Sequence, residues 1–325
     1  MAALLLVTLI LLPPPTSGAE TARTQTYPSR PIRILVGQQP GTPSDIIARL
    51  VAEKLTGLWT QSVVVENQPG ASGTIGAELA SRAPANGYTL LVASHSNLVL
   101  ARVAGNNLRY DPLLDFAPIG RIAYVPFVLA VNQNVPANTI SELVAFAKAH
   151  PGQLSYATAG SGTMSQLGIE LLKAATGVDL LAVHYRGASS ALVDVIAGRV
   201  DMMLVDYAIL APHVRSGALR VLGSGGRLRA TAAPDVPTIA EQGIPGFAVN
   251  TWYGLVAPAK TPPEILSKLN TEVNKALNTP VVREQMAFLG NEPIGSSQKD
   301  CALYIRTQLE KLREAVKLSG ATPED

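Results

Sequence analysis

Again and again along this chain, a short apolar run closes on a loop of glycine, serine and threonine, and a helical period follows. The clearest instance is Asn67-Gln68-Pro69-Gly70-Ala71-Ser72-Gly73-Thr74-Ile75-Gly76-Ala77. Glycines at 70, 73 and 76 admit φ > 0 and let the backbone approach a guest, and Ser72 and Thr74 are placed to cap the next helix. The N–H groups of that first turn, with the positive end of the helix dipole, favour a carboxylate or phosphate. Alone, such a turn is equally a plain connector. No Lys-Ser/Thr pair follows the glycines, and no G-x-G-x-x-G follows a strand, so the nucleotide-loop readings fail.

The companions of this turn give it meaning. Residues 31–36 read as a buried strand, followed by Gln38-Gln39-Pro40-Gly41-Thr42-Pro43-Ser44-Asp45. A helix then starts with Thr42 as N-cap, Pro43 at its first position and Asp45 complementing the dipole. Ile46, Ile47, Leu50, Val51 and Leu55 make its core face, and Gly57 is the expected C-cap. The strand at 62–66 leads into the opening turn, and the strand at 89–93 runs into Ser94-His95-Ser96-Asn97. In open α/β sheets ligands sit at the carboxyl ends of strands, so convergence of such loops argues more than any one of them.

Near residues 122–131 a long apolar segment marks a first crossing between domains, and Thr139 and Glu142 form a capping box behind it. The same logic then repeats: strand 154–157, loop Thr158-Ala159-Gly160-Ser161-Gly162, and Thr163 with Gln166 as a second capping box. Strand 181–183 runs into Tyr185-Arg186-Gly187, and strand 200–205 ends at Asp206. An apolar run at 247–256, with Trp252 and Tyr253 packing in the core or hinge or lining the cleft, is the return crossing. Thr261-Pro262-Pro263-Glu264 opens another amphipathic helix, and a last one over 297–318 folds back on the first domain. Two crossings and two α/β lobes make a clamshell: residues 27–127 with 253–325 in one lobe, 128–252 in the other. A hinge of two extended strands suits closure on a small ligand.

Composition narrows the partners. The chain has 325 residues, 47% hydrophobic and 15% charged, which is enough for two domains with cores and excludes general disorder. A net charge of +2 with scattered Lys and Arg excludes a nucleic-acid partner. Residues 1–19 have the apolar run and the small-x-small end, Ser17-Gly18-Ala19, of a secretory signal cleaved near Ala19. Its first residues carry no Lys or Arg, so either the start lies upstream or the amino terminus alone supplies the charge. One cysteine, Cys301, and four histidines give no zinc spacing, no disulfide and no lipid anchor. His95 and His184 lie at strand ends, but no G-x-S-x-G elbow or cysteine accompanies them, so an exported hydrolase is disfavoured; His150 and His213 look like helix-end residues.

The residues also carry a resemblance. Tyr27-Pro28-Ser29-Arg30-Pro31-Ile32, Val63-Val64-Val65-Glu66-Asn67-Gln68-Pro69-Gly70, Ala85-Asn86-Gly87-Tyr88-Thr89-Leu90-Leu91, Tyr156-Ala157-Thr158-Ala159-Gly160-Ser161-Gly162-Thr163, Gly198-Arg199-Val200-Asp201 and Trp252-Tyr253-Gly254-Leu255 follow one another as in the Bug family. Over nearly its whole length the chain resembles these periplasmic solute-binding proteins, the receptors of tripartite tricarboxylate transporters. The resemblance implies a type II periplasmic-binding fold and a small carboxylate, or a compound such as an amino acid or nicotinate, held in the interlobe cleft through backbone amides and water; a monomer without cofactor or enzyme activity is expected beside it. It implies delivery to membrane transporter subunits, with a sensor kinase as the alternative partner. Carried onto this chain, the first lobe supplies Gln38, Gly41, Thr42, Ser44, Asp45, Gly73, Thr74, Ser94 and Ser96. The second supplies Gly160, Gly162, Thr163, Arg186 and Asp206. The chain departs from the family where Gln38 replaces a common aromatic, where Thr42 and Pro43 stiffen the first loop, and where Val205 stands at a common Asp.

Arg186 either pairs bidentately with a ligand carboxylate or sits on the surface beside a glycine turn. Asp206 is either an N-cap or a cleft residue that repels a second carboxylate and welcomes an ammonium. Arg186→Ala is expected to weaken ligand binding by at least about 1.5 kcal/mol. Calorimetry checks this, and unchanged affinity removes Arg186 from the site.

Overall fold

The computed structural model describes residues 27–103, 108–160, 163–185 and 187–319. The first sheet starts with β1 (Ile32–Val36), β2 (Val63–Asn67) and β3 (Thr89–Ser94), all parallel, with α1 (Pro43–Trp59) and α2 (Thr74–Ser81) as the crossover helices. After β3 the chain makes a π-helical turn, His95–Leu100, and the short α3 (Ala101–Val103). Then comes β4 (Phe116–Asn132), 17 residues long.

Beyond β4 lie α4 (Ile140–Ala149), β5 (Ser155–Thr158), α5 (Met164–Thr176), β6 (Leu181–His184), α6 (Ala188–Ile196), β7 (Met202–Asp206), α7 (Tyr207–Arg215) and β8 (Leu219–Ser224). The chain returns through β9 (Asn250–Pro258) and ends with α8 (Pro263–Leu277), α9 (Pro280–Phe288), β10 (Glu292–Pro293) and α10 (Gln298–Ser319).

Strand β4 belongs to two sheets. Its first part, Phe116 to Pro126, pairs antiparallel with β9, which in turn pairs with β3. From Phe127 onward the same strand pairs with β7 on one edge and β8 on the other. The exchange of partners falls between Pro126, opposite Asn250, and Phe127, opposite Asp206. Here the return segment is stitched in as well: Phe127 N–H donates to Val249 O (3.3 Å), Gly225 N–H to Phe127 O (2.7 Å) and Val249 N–H to Gly225 O (2.7 Å).

Period-2 alternation assigns each strand residue to a face, and helices cover all four faces. In the first sheet Ile32, Ile34 and Val36 pack with Ile47, Val51 and Leu55 of α1 and Leu269 and Val273 of α8. Leu35, Leu91 and Trp252 pack on the other side with Ala77 of α2 and Cys301, Ile305 and Leu309 of α10. In the second sheet Leu129, Met202 and Leu204 meet α4 and α5, while Val128, Met203 and Val205 meet α6 and α7. Cys301 is wholly buried, and burial pushes its thiol up to about 12, which leaves it inert.

Local expectations fare unevenly. Helix α1 does not stop at Gly57 but continues to Trp59, with Thr60 in the left-handed region at φ 54°. The extra turn brings Trp59 edge-on to Tyr27, 6.5 Å between ring centroids, and that contact outweighs the glycine signal. Thr139 caps α4 as expected, accepting from Glu142 N–H at 3.1 Å, but Glu142 accepts from Asn138 N–H, so the box closes one residue early. Thr163 stands at the N-cap of α5 without making the cap bond; its hydroxyl donates to Gly160 O at 2.7 Å. His150 closes α4, its Nδ1 3.0 Å from Phe146 O, and His213 lies in the last turn of α7.

Gly168 in α5 shows which effect governs the core. A Cβ there would lie 2.3 Å from Leu204 Cδ2 and 2.8 Å from Val249 Cγ1, both on fully packed side chains. Helix propensity favours alanine over glycine by about 0.5–1 kcal/mol, whereas overpacking costs about 1–3 kcal/mol. Gly168→Ala should therefore lower stability despite the better helix former, seen as a reduced urea midpoint with an unchanged slope; a raised midpoint would contradict it.

Candidate functional site

Strand directions bring the polar loops together. The first part of β4 runs with β1 and β3, so all three point toward the level of Pro126. Strand β7 is antiparallel to β4 and returns to that level at Asp206, and β5 and β6 run with β7. The carboxyl ends of β1, β2 and β3 thus face those of β5, β6 and β7 across the point where β4 changes partners.

Helices α1, α2, α5, α6 and α7 begin there, behind Thr42, Gly73, Thr163, Gly187 and Asp206, and none of these residues makes a side-chain cap bond. Their first-turn N–H groups and dipoles are what an anion needs. The first two loops are pressed together. A Cβ on Gly37 would stand 2.6 Å from Gly73 Cα and 2.7 Å from Gly73 O, so only glycine allows the approach. Gly73 itself has φ +91° and the preceding Ser72 φ 56°, a left-handed pair that turns the backbone into α2.

Most candidate side chains of the first loops hold the loops rather than reach out of them. Ser44 donates to Gln38 Oε1 (2.9 Å), Thr42 to Gln39 O (2.8 Å) and Thr74 to Ala71 O (2.9 Å). Asp45, 2% exposed, accepts from Gly41 N–H (2.9 Å), Arg49 Nε (3.0 Å) and Asn67 Nδ2 (2.9 Å). Burial pushes its carboxyl up, but those hydrogen bonds and the Arg49 charge prevail and hold it below the ordinary carboxylate range. Ser94 accepts from Asn97 N–H (3.3 Å) and donates to Asn97 Oδ1 (3.1 Å), fixing the π-helical turn, and Ser96 is half-buried in that turn. In the second lobe Gly160 has φ +131° and its carbonyl accepts from both Thr163 and Thr158. Gly162 and Arg186 lie outside the described residues.

The junction itself carries Asp206 and Tyr253. Asp206 is 7% exposed, one of its oxygens has no partner, and burial pushes the carboxyl up to about 7. Tyr253 is raised well above its ordinary value, by burial first and then by the Asp206 carboxyl. His95 is buried with Nδ1 unpartnered, and burial pushes it down to about 4, so it is neutral. His184 shares a 3.1 Å bond with Thr158 Oγ1. Trp252 belongs to the core, edge-on to Tyr304.

Sequence reading missed Asn67 and Asn97, the two amides that tie strand ends to loops, and Asn250 beside the junction. Their signal was an asparagine at the end of a strand, as at Asn67 and Asn250, or three residues past one, as at Asn97. Among the described residues no group of three or more His, Cys, Asp or Glu could hold a metal ion, and no helix is long and apolar enough to cross a membrane.

Asp45 gives a pH prediction with a definite sign. Its folded pKa is depressed, so its contribution is complete above the ordinary value of about 4 and is lost as pH falls through the folded value. Asp45→Ala should cost at least about 1.5 kcal/mol near neutrality and flatten the acid limb of stability. Urea unfolding across that range tests it; curves that stay parallel to wild type would remove the linkage.

Comparison with known proteins gives the family and the fold. The model of the tripartite tricarboxylate transporter family receptors matches residues 47–320. Protein BugT of Bordetella pertussis (strain Tohama I) is 33% identical over 94% of this chain and 94% of its own. The solved structure of R. palustris Rpa4515 with adipate superposes with TM-score 0.83 at 32% identity, covering 90% of this chain and 98% of that one. MatC from Rhodopseudomonas palustris with bound malate gives 0.78 at 30%, covering 89% and 100%. The chain belongs to the receptor family of tripartite tricarboxylate transporters, of Bug type: a two-lobed α/β periplasmic solute-binding protein that serves transport and is not an enzyme.

Proposed function

We propose that the protein closes on a small carboxylate-bearing metabolite between residues 27–127 with 253–325 on one side and 128–252 on the other. The observation that carries this is the convergence of five helix N-termini without side-chain caps on one junction. Each such terminus contributes about 0.3–1 kcal/mol toward an anion, and up to about 2 kcal/mol when partly buried. Several together suffice for a carboxylate without a lysine. Gly73, Thr74 and the 38–45 loop present backbone groups from the first lobe; Gly160, Gly162, Thr163, Arg186 and Asp206 complete the site from the second. The side chains of Ser44, Asp45 and Ser94 act as positioning groups.

The carboxylates in the two similar solved structures, adipate and malate, set the size of the expected ligand. Residues 1–19 direct export, with cleavage near Ala19, and the closed form is handed to the membrane subunits of a tripartite transporter.

A ligand that touches both lobes must bind the closed state better than the open one, so it shifts the population toward closure. Adipate or malate in hundredfold excess over its dissociation constant should stabilise the protein by about 2.7 kcal/mol. Thermal unfolding and small-angle scattering should show a raised Tm and a smaller radius of gyration. If a panel of small carboxylates leaves both unchanged, the proposal falls.

A further inference from the structure

The junction holds polar atoms that the fold leaves without partners. One Asp206 carboxylate oxygen, His95 Nδ1 and Asn250 Oδ1 are buried and make no hydrogen bond. Strand register sets two of them at adjacent positions of β4, where Asp206 closes β7 opposite Phe127 and Asn250 opens β9 opposite Pro126; His95 follows Ser94, which pairs with Tyr253 further along β9.

An ionised carboxylate at 7% exposure needs a cation or several N–H donors. Around Asp206 the described residues offer neither, and Arg186, which lies outside them, is already given to the ligand in the function proposed above. Strand β4 presents Phe127 and Val128, and β5 runs alongside and ends at Thr158, two positions short of Asp206, with its hydroxyl shared with His184 of β6. Helix α7 starts with Tyr207, and its other titratable groups, His213 and Arg215, are in its last turn. Although Asp206 stands at the N-cap, its side chain accepts no helix N–H. Strand β9 contributes Tyr253, whose hydroxyl feels the carboxyl, and His95 is neutral. A neutral acid fits these surroundings, and its O–H then lacks an acceptor.

Resting on the carboxylate-binding role proposed above, we infer that Asp206 is the specificity residue of the cleft: as a neutral acid it donates its O–H to a second carboxylate of the ligand. Dicarboxylates are then preferred to monocarboxylates and to amino analogues. This reverses the sign expected for an ionised Asp206, which would repel that group.

The proton comes from solvent. Burial alone pushes the carboxyl up to about 7, and an accepting anion raises it further. Above neutrality binding must therefore take up a proton, and affinity falls by as much as tenfold per pH unit.

The test is calorimetry of adipate binding in buffers of differing ionisation enthalpy. Wild type should take up close to one proton per adipate at about pH 8 and close to none at about pH 6. Monomethyl adipate should bind without uptake. Asp206→Asn keeps an N–H donor, so it should bind adipate at about pH 8 at least as tightly as wild type, without uptake. Adipate binding with no proton exchange at about pH 8 overturns the inference alone and needs no variant. Tighter binding of 2-aminoadipate with no proton uptake overturns it in favour of an ionised Asp206 paired with an ammonium. Absence of carboxylate binding at either pH overturns both this inference and the carboxylate-binding role.

Discussion

A single strand carries the whole arrangement. Because β4 pairs with β9 up to Pro126 and with β7 and β8 from Phe127, two sheets share one backbone and cannot choose their relative register. The polar residues on the strands beside it take their positions from that exchange. Asp206, Asn250 and Tyr253 are placed by pairing with β4, and Ser94 by pairing with Tyr253. Their neighbours are set by backbone hydrogen bonds rather than by flexible side chains, which is what recognition through amides and a neutral acid demands.

The first lobe adds a second level of order. The backbone contact of Gly37 with Gly73 fixes the spacing of two loops, and Asp45 pins their ends through Gly41, Arg49 and Asn67. Charged and hydroxyl side chains that a sequence reading takes for ligand contacts are used to stiffen the cradle. The groups left to meet a ligand are the backbone N–H donors, since side chains do not cap those helix starts.

How far the sequence could be read depended on the range of the interaction. The alternation of apolar runs and helical periods predicted the two sheets, the long crossing and the helix over 297–318, because burial patterns repeat over many residues and tolerate local exceptions. Single side chains were harder. Gly57 looked like a helix end, yet Trp59 had a partner in Tyr27, 32 positions earlier in the chain. Thr163 looked like half of a capping box, yet its hydroxyl found Gly160 O instead. Hydroxyls choose between acceptors of nearly equal energy, and only the folded backbone decides. Asp206 posed the same difficulty in electrostatics: its residue type is plain in the sequence, its lack of a partner is not.

The stitching of Phe127 to Val249 and Gly225 has a mechanical consequence. Two segments cross between the lobes side by side, joined through Gly225 next to them, so they bend as one leaf and not as separate tethers. A leaf of this kind resists shear and splaying and leaves one soft coordinate, rotation about its own line. Loading the cleft then changes one angle, and a membrane partner that measures that angle can tell a loaded receptor from an empty one without touching the ligand.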